Sequence, residues 1–124
     1  MANILILDDD KDILNLLGTI LRQSGHQVHC LEDGRQAVAI HKESPIDLII
    51  TDILMPEFDG IEVIRQFRQL SPELKIIAIS GGGYTDPQQF LSMAQRLGAD
   101  ATFNKPFDWN MLVAKADALL GASK

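Results

Sequence analysis

The sequence is poor in cysteine, in aromatic residues and in basic residues. Its single cysteine, Cys30, cannot form a disulfide within the chain, so a reducing cytoplasm is the expected location. The 11 Lys and Arg residues are outnumbered by 17 Asp and Glu residues, which gives a formal net charge of −6. This balance argues against a nucleic-acid partner, because phosphate binding requires a basic patch.

Long hydrophobic runs are also missing. No apolar run approaches the roughly 18 residues that a membrane-spanning helix requires, and no basic amphipathic segment indicates a membrane surface. Asp8 ends the first apolar run too early for a secretory signal peptide. We therefore expect no membrane partner and a single domain over residues 1–124, long enough to bury one hydrophobic core.

Five short apolar runs alternate with segments of helical periodicity. The run 3–7 is almost continuously hydrophobic, as expected of a strand covered on both faces, whereas 26–30 is more polar and suits an edge strand. Strict alternation predicts an α/β fold with a parallel sheet and helices on both faces. The predicted strands are 3–7, 26–30, 46–51, 75–80 and 101–104, and the predicted helices are 12–25, 34–44, 61–70, 87–98 and 108–121.

Polar side chains follow four of the five predicted strands, at the point where each strand ends. They are Asp8 and Asp9, Asp52, Ser80 and Lys105. Because ligands of open α/β sheets bind beyond the carboxyl ends of the strands, we expect these residues to form one site. A divalent cation such as Mg²⁺ relieves the repulsion of clustered carboxylates, and a lysine and a hydroxyl balance a phosphoryl group. One carboxylate can itself be the nucleophile, which predicts a phosphoryl-acceptor site.

Four segments, ILILDDD, DLIITDILMPEFDG, IIAISGGG and KPF, resemble the response-regulator receiver domain of two-component signalling. The resemblance covers essentially the whole chain, in the order and spacing of that family. It implies a flavodoxin-like, doubly wound parallel sheet of five strands in the order 2-1-3-4-5, with five helices. In that order the first and third strands are neighbours, which brings Asp8 and Asp9 next to Asp52.

The resemblance also implies a role for each polar residue of the predicted site. Asp52 is expected to accept phosphate from a histidine kinase or a histidine phosphotransfer protein. Asp8, Asp9 and Asp52 are expected to hold Mg²⁺, together with the backbone carbonyl of Leu54. Ser80 is expected to bind the arriving phosphoryl oxygen.

Lys105 is expected to pair with the phosphoryl group, and the resulting change of shape would signal to a separate downstream protein through the face formed by helix 4, strand 5 and helix 5. One residue departs from the family pattern. Many receivers have Tyr or Phe three positions before the lysine, where this sequence has Thr102. Phe103 cannot replace it, because strand alternation directs neighbouring side chains to opposite faces.

Two other functions are open to a chain with these residues. An aspartyl-phosphate phosphohydrolase usually has a second aspartate two residues after the nucleophile, and that position is Leu54. We therefore expect that the chain is not an enzyme and catalyses only its own phosphorylation and dephosphorylation. A binding module that has lost phosphorylation is disfavoured because all five site positions are filled.

Several polar residues near these segments are predicted to be structural. Asp10 stands where the first helix needs an N-cap. His26 and His29 are three apart on a strand and would face opposite sides, so we do not expect them to bind a metal ion together. His41 is predicted on a helix surface.

Overall fold

The computed structural model describes residues 2–53, 60–80, 87–105 and 107–122. Five strands alternate with five helices along these residues. In chain order they are β1 (Asn3–Leu7), α1 (Lys11–Gln23), β2 (Gln27–Leu31), α2 (Ala37–Glu43), β3 (Leu48–Asp52), α3 (Gly60–Leu70), β4 (Lys75–Ser80), α4 (Pro87–Leu97), β5 (Ala101–Asn104) and α5 (Trp109–Ala122).

The strands form one sheet of order β2-β1-β3-β4-β5, and all four strand pairs are parallel. This confirms the predicted fold class and the edge position of β2. In the central pair, Ile4 lies beside Leu48 and Leu7 beside Thr51. The carboxyl ends of β1 and β3 therefore lie side by side, so the residues that follow β1 are neighbours of the last residue of β3.

The two faces of the sheet are covered by different helices. Ile4 and Ile6 pack with residues of α1 and α5, whereas Leu5 and Leu7 pack with residues of α2 and α3. A third cluster joins β4 to α3 and α4 through Ile76 and other buried residues. Since alternate residues of a strand point to opposite faces, strands covered on both faces are hydrophobic almost throughout.

Helix α1 begins directly after Asp10, the residue predicted to cap it. The carboxylate of Asp10 accepts a hydrogen bond from the Asp12 backbone N–H at 2.9 Å. The buried residues of α1 include Leu14 and Leu17, but Leu16, although apolar, is 54% exposed. At about 100° per residue Leu16 lies on the side of α1 away from the buried residues, so it faces solvent.

Arg68 holds together the edge of the sheet where β4 and β5 begin. Its guanidinium donates hydrogen bonds to the carbonyl of Leu74 at 2.6 Å, to the carbonyl of Gly98 and to the carboxylate of Asp100 at 3.0 Å. The same carboxylate accepts the Ile76 N–H at 2.8 Å. These contacts fix the amino-terminal edge of the sheet, opposite the edge where the predicted site residues lie.

His41 is half-buried, so its prediction as a helix-surface side chain is wrong. Its Nδ1 accepts the Ile46 N–H at 2.9 Å, its Nε2 lies 3.0 Å from the Ser71 hydroxyl, and its ring meets Phe67 edge-on at 5.1 Å. Because Nδ1 accepts, Nε2 carries the hydrogen and donates it to Ser71. His41 therefore ties the end of α2 to the end of α3.

Candidate functional site

Asp8 follows β1 directly and its side chain is fully buried. Its backbone N–H donates to the Leu31 carbonyl at 3.1 Å, which continues the pairing of β1 with β2. Its Oδ1 accepts the Asp10 N–H at 2.9 Å, a bond that depends on the turn into α1. The strand and the helix cap together hold the Asp8 carboxylate in one place.

Asp52 is the last residue of β3 and is 2% exposed. The Thr51 hydroxyl donates a hydrogen bond to the Asp52 carbonyl at 2.9 Å. Ser80, the last residue of β4, is also buried, and its carbonyl accepts the Lys105 N–H at 3.0 Å. The ends of β3 and β4 thus bring a carboxylate and a hydroxyl to the same edge of the sheet.

Lys105 follows β5 and its ammonium group contacts two of the predicted site residues. Its Nζ lies 3.1 Å from Oδ1 and 3.0 Å from Oδ2 of Asp8, and 3.0 Å from Oδ2 of Asp52. The lysine side chain is 19% exposed and both carboxylates are nearly or fully buried. One cation therefore bridges two carboxylates that the sequence places 44 positions apart.

Asp9 adds a third carboxylate, which is exposed to solvent. One oxygen from each of Asp8, Asp9 and Asp52 lies within 4.8 Å of the others. Oδ2 of Asp8 is buried, and among the described residues its contact is the ion pair with the Lys105 ammonium at 3.0 Å. Three clustered carboxylates, two of them buried, fit a hard cation such as Mg²⁺.

Burial and charge shift the proton affinities of this site in identifiable ways. Burial raises the pKa of Asp8 above its ordinary value of 3.8; the Asp10 N–H and Lys105 oppose this rise and the charge of Asp52 adds to it. Burial by itself lowers the pKa of Lys105. Its hydrogen bonds to Asp8 and Asp52 outweigh that effect and raise the pKa above 10.5. Lys105 is therefore a fixed cation throughout the physiological pH range.

The structure brings the predicted site residues to one edge of the sheet. Asp8, Asp52 and Lys105 are in contact, Asp9 completes the carboxylate cluster, and Ser80 lies at the neighbouring strand end. The predicted carbonyl ligand of Leu54 lies outside the described residues. Sequence reasoning missed the contact between Lys105 and Asp8, because it paired the lysine only with the phosphoryl group. It also missed the hydrogen bond from Thr51 to the backbone of Asp52, for which the sequence contains no signal.

Thr102 and Phe103 lie on opposite faces of β5, as strand alternation predicts. Thr102 pairs in register with Ala78, which belongs to the core cluster of α3 and α4. Phe103 packs instead against the cluster of α1 and α5. Its ring meets Phe107 edge-on at 6.3 Å, and Phe107 meets Trp109 edge-on at 4.9 Å.

Comparison with known protein families gives a match over most of the chain. The family model of the response regulator receiver domain matches residues 4–117. The response regulator receiver protein CpdR of Brucella abortus (strain 2308) is 34% identical over 128 residues, which cover 99% of this chain and 100% of CpdR. The transcriptional regulatory protein CpxR of Escherichia coli (strain K12) is also 34% identical, over 123 residues; the match covers 99% of this chain but only 51% of CpxR.

Solved structures with the same fold include receiver domains. The receiver domain of NtrX from Brucella abortus superimposes with a TM-score of 0.85 at 30% identity, over 95% of this chain and 98% of that one. A CheY-like receiver domain protein from Methanospirillum hungatei JF-1 superimposes with a TM-score of 0.86 at 28% identity, over 98% of this chain and 95% of that one.

Proposed function

Since the chain belongs to the response regulator receiver domain family, we propose that it is a phosphorylation switch whose acceptor is Asp52. The observation that supports this most is the bridge from Lys105 to both Asp8 and Asp52, with Asp9 in reach of the same point. Buried carboxylates beside a fixed cation form an anionic nucleophile with a countercharge in place. Phosphoryl transfer requires both the nucleophile and a positive charge beside it.

The proposed reaction starts from a phosphohistidine of a histidine kinase or a histidine phosphotransfer protein. A carboxylate oxygen of Asp52 attacks the phosphorus, and the bond from phosphorus to the histidine nitrogen breaks as the new bond to oxygen forms. The electron pair of the broken bond stays on the imidazole, which takes up a proton. The product is an acyl phosphate on Asp52. The Lys105 ammonium, 3.0 Å from Oδ2 of Asp52, balances the charge of the transferring phosphoryl group.

Asp8, Asp9 and Asp52 would hold Mg²⁺, because one oxygen from each lies within 4.8 Å of the others and two of the three carboxylates are buried. The backbone carbonyl of Leu54 is a further proposed ligand, on the basis of the family resemblance. When bound, Mg²⁺ would supply positive charge to the phosphoryl oxygens during transfer. Asp8 and Asp52 are held rigidly by their strands, whereas Asp9 is exposed and can adjust to the ion.

The proposed signal arises from Ser80 and Lys105 together. The Ser80 hydroxyl would bind an oxygen of the new phosphoryl group, and the Ser80 carbonyl already accepts the Lys105 N–H. A change at either residue is therefore passed to the other. The proposed readout is by a separate cytoplasmic protein that binds the face of α4, β5 and α5. No turnover of external phosphate esters is expected.

Intact-mass spectrometry after incubation with Mg²⁺ and a small-molecule phosphodonor tests this function. We expect the mass of one phosphate to be added to the wild-type chain and none to be added to Asp52→Ala. The function is wrong if the wild-type chain gains no mass, or if Asp52→Ala gains the same mass as the wild-type chain.

A further inference from the structure

The aromatic residue that many receivers use to report phosphorylation is replaced here by Thr102, yet aromatic residues that flank Lys105 in the sequence pack on the other face of the sheet. We propose that the state of Asp52 is transmitted to the first turn of α5 through three aromatic side chains in series, Phe103, Phe107 and Trp109, which we term the aromatic relay. This inference rests on the proposed function, because it requires a phosphoryl group or its mimic at Asp52.

The relay starts at Lys105, which is anchored in two ways. Its ammonium group bridges Asp8 and Asp52, and its backbone N–H donates to the Ser80 carbonyl. A phosphoryl group on Asp52 changes the partner of the ammonium group and draws on the Ser80 hydroxyl. Both anchors of Lys105 therefore lie on residues that a phosphoryl group at Asp52 would contact, and the relay requires that the Lys105 backbone shifts with them, between Phe103 and Phe107 in the sequence.

The rings of the relay are in edge-to-face contact. The centroids of Phe103 and Phe107 are 6.3 Å apart with 63° between the ring planes, and those of Phe107 and Trp109 are 4.9 Å apart with 61° between them. Favourable aromatic pairs have centroid distances of roughly 4.5–7 Å and depend on ring orientation. Because both rings are partly buried against the cluster of α1 and α5, we expect a shift of Phe107 to displace Trp109.

The relay ends at the start of α5, whose first residue is Trp109. The preceding residue, Asp108, caps this helix: its Oδ1 accepts the N–H groups of Asn110 at 2.8 Å and Met111 at 3.2 Å. Movement of Trp109 therefore moves the capped turn as one unit. Met111, which is 63% exposed, places that movement at the protein surface.

The aromatic relay runs along one face of the sheet, and the side chain at position 102 lies on the other face. Thr102 pairs with Ala78 on the face covered by α3 and α4, whereas Phe103 packs on the face covered by α1 and α5. The aromatic relay therefore predicts that α5 responds to the acceptor site independently of the side chain at position 102.

Tryptophan fluorescence tests the relay directly, because Trp109 is the only tryptophan in the chain. Beryllofluoride with Mg²⁺ serves as the phosphoryl mimic, and ¹⁹F NMR measures its binding separately from the fluorescence. Phe107→Leu breaks both edge-to-face contacts, and Phe103→Leu is a second variant that breaks only the first. Thr102→Val is the matched control on the other face, and thermal melting checks that each variant folds.

We expect the mimic to change the Trp109 emission of the wild-type chain and of Thr102→Val. In Phe107→Leu and Phe103→Leu the mimic should still bind, with the emission change reduced to less than half. The relay is overturned if the mimic binds and wild-type Trp109 does not respond, or if both leucine variants that fold keep the full response. If the mimic does not bind to the wild-type chain at all, the proposed function fails, and the relay fails with it.

Discussion

The ammonium nitrogen of Lys105 lies 3.0 Å from Oδ2 of Asp52, and the same nitrogen lies 3.0 Å from Oδ2 of Asp8. Both carboxylates are almost completely buried, so water cannot solvate their charges if the lysine is removed. The raised pKa of Lys105 means that its contribution to stability is complete below pH 10.5 and is lost as the pH rises through the raised value. Stability and the proposed phosphoryl transfer would therefore depend on the same cation.

Replacing Lys105 with methionine keeps the length of the side chain and removes its charge. Because Asp8 and Asp52 are then buried without a cation, we expect a loss of about 3–5 kcal/mol in the free energy of unfolding at neutral pH without divalent metal. Phosphorylation should slow by about 10²-fold or more. Urea unfolding and the rate of phosphate incorporation measure the two effects.

Lys11→Met is the matched control for that substitution. The Lys11 ammonium lies 4.0 Å from Glu32 at an exposed position, so its removal should change the unfolding free energy by less than about 1 kcal/mol. If both lysine variants are equally stable, the Lys105 ammonium between Asp8 and Asp52 does not stabilise the fold as we expect.

Asp8→Asn is expected to make stability less dependent on pH. The raised pKa of Asp8 means that the folded chain binds this proton more tightly than the unfolded chain does. The resulting stabilisation is complete below pH 3.8 and is lost as the pH rises through the raised value. Without divalent metal, Asp8→Asn should therefore melt at a higher temperature than the wild-type chain at neutral pH.

The difference in melting temperature should narrow as the pH falls towards 3.8, because wild-type Asp8 then becomes neutral as well. Thermal melting at a series of pH values measures this difference. A wild-type chain that is the more stable of the two at neutral pH would show that the attraction of Lys105 outweighs the cost of burying the charge.

Asp9→Asn tests the proposed metal site. Since Asp9 is the exposed member of the carboxylate cluster, we expect the fold to be retained and Mg²⁺ affinity to fall by about tenfold or more. Phosphorylation should slow in parallel and recover at high Mg²⁺ concentration. Asp12→Asn, on the exposed first turn of α1, is the control and should leave both quantities unchanged. If Asp9→Asn binds Mg²⁺ and is phosphorylated as well as the wild-type chain, Asp9 is not part of the metal site.

Gly98→Ala tests the contacts of Arg68 at the opposite edge of the sheet. Gly98 has φ +93°, and an added Cβ would lie 2.9 Å from Nε of Arg68. Gly25→Ala is the control, because its φ of +94° carries the same backbone cost with no atom within 4 Å of the new Cβ. We expect about 1–2 kcal/mol of destabilisation for Gly25→Ala and a larger loss for Gly98→Ala. Equal losses, measured by urea unfolding, would mean that Arg68 adapts freely.

The parallel α/β fold and the collection of polar residues at one edge of the sheet could be predicted from the sequence. Each depends on a local pattern, namely apolar runs of strand length and polar residues where those runs end. The rule that parallel strands present their carboxyl ends at one edge then brings Asp8, Asp9, Asp52, Ser80 and Lys105 to that edge. The strand order, which makes β1 and β3 neighbours, is implied by the resemblance to receiver domains.

Contacts between side chains distant in the sequence could not be predicted in the same way. The bond of His41 to Ser71 depends on how α2 and α3 pack, which helical periodicity does not specify. The exposure of Leu16 depends likewise on which arc of α1 meets the sheet. The contact of Lys105 with Asp8 depends on the path of the chain after β5, and no sequence pattern determines that path.

The identity of the phosphorylated residue is the most direct test of this account. Borohydride reduces an aspartyl phosphate to homoserine, so reduction of the phosphorylated chain followed by peptide mass spectrometry marks the acceptor. We predict homoserine at position 52 and unmodified aspartate at positions 8 and 9. Homoserine at either of those positions, or a phosphate that borohydride does not remove, would contradict the assignment of Asp52 as the acceptor.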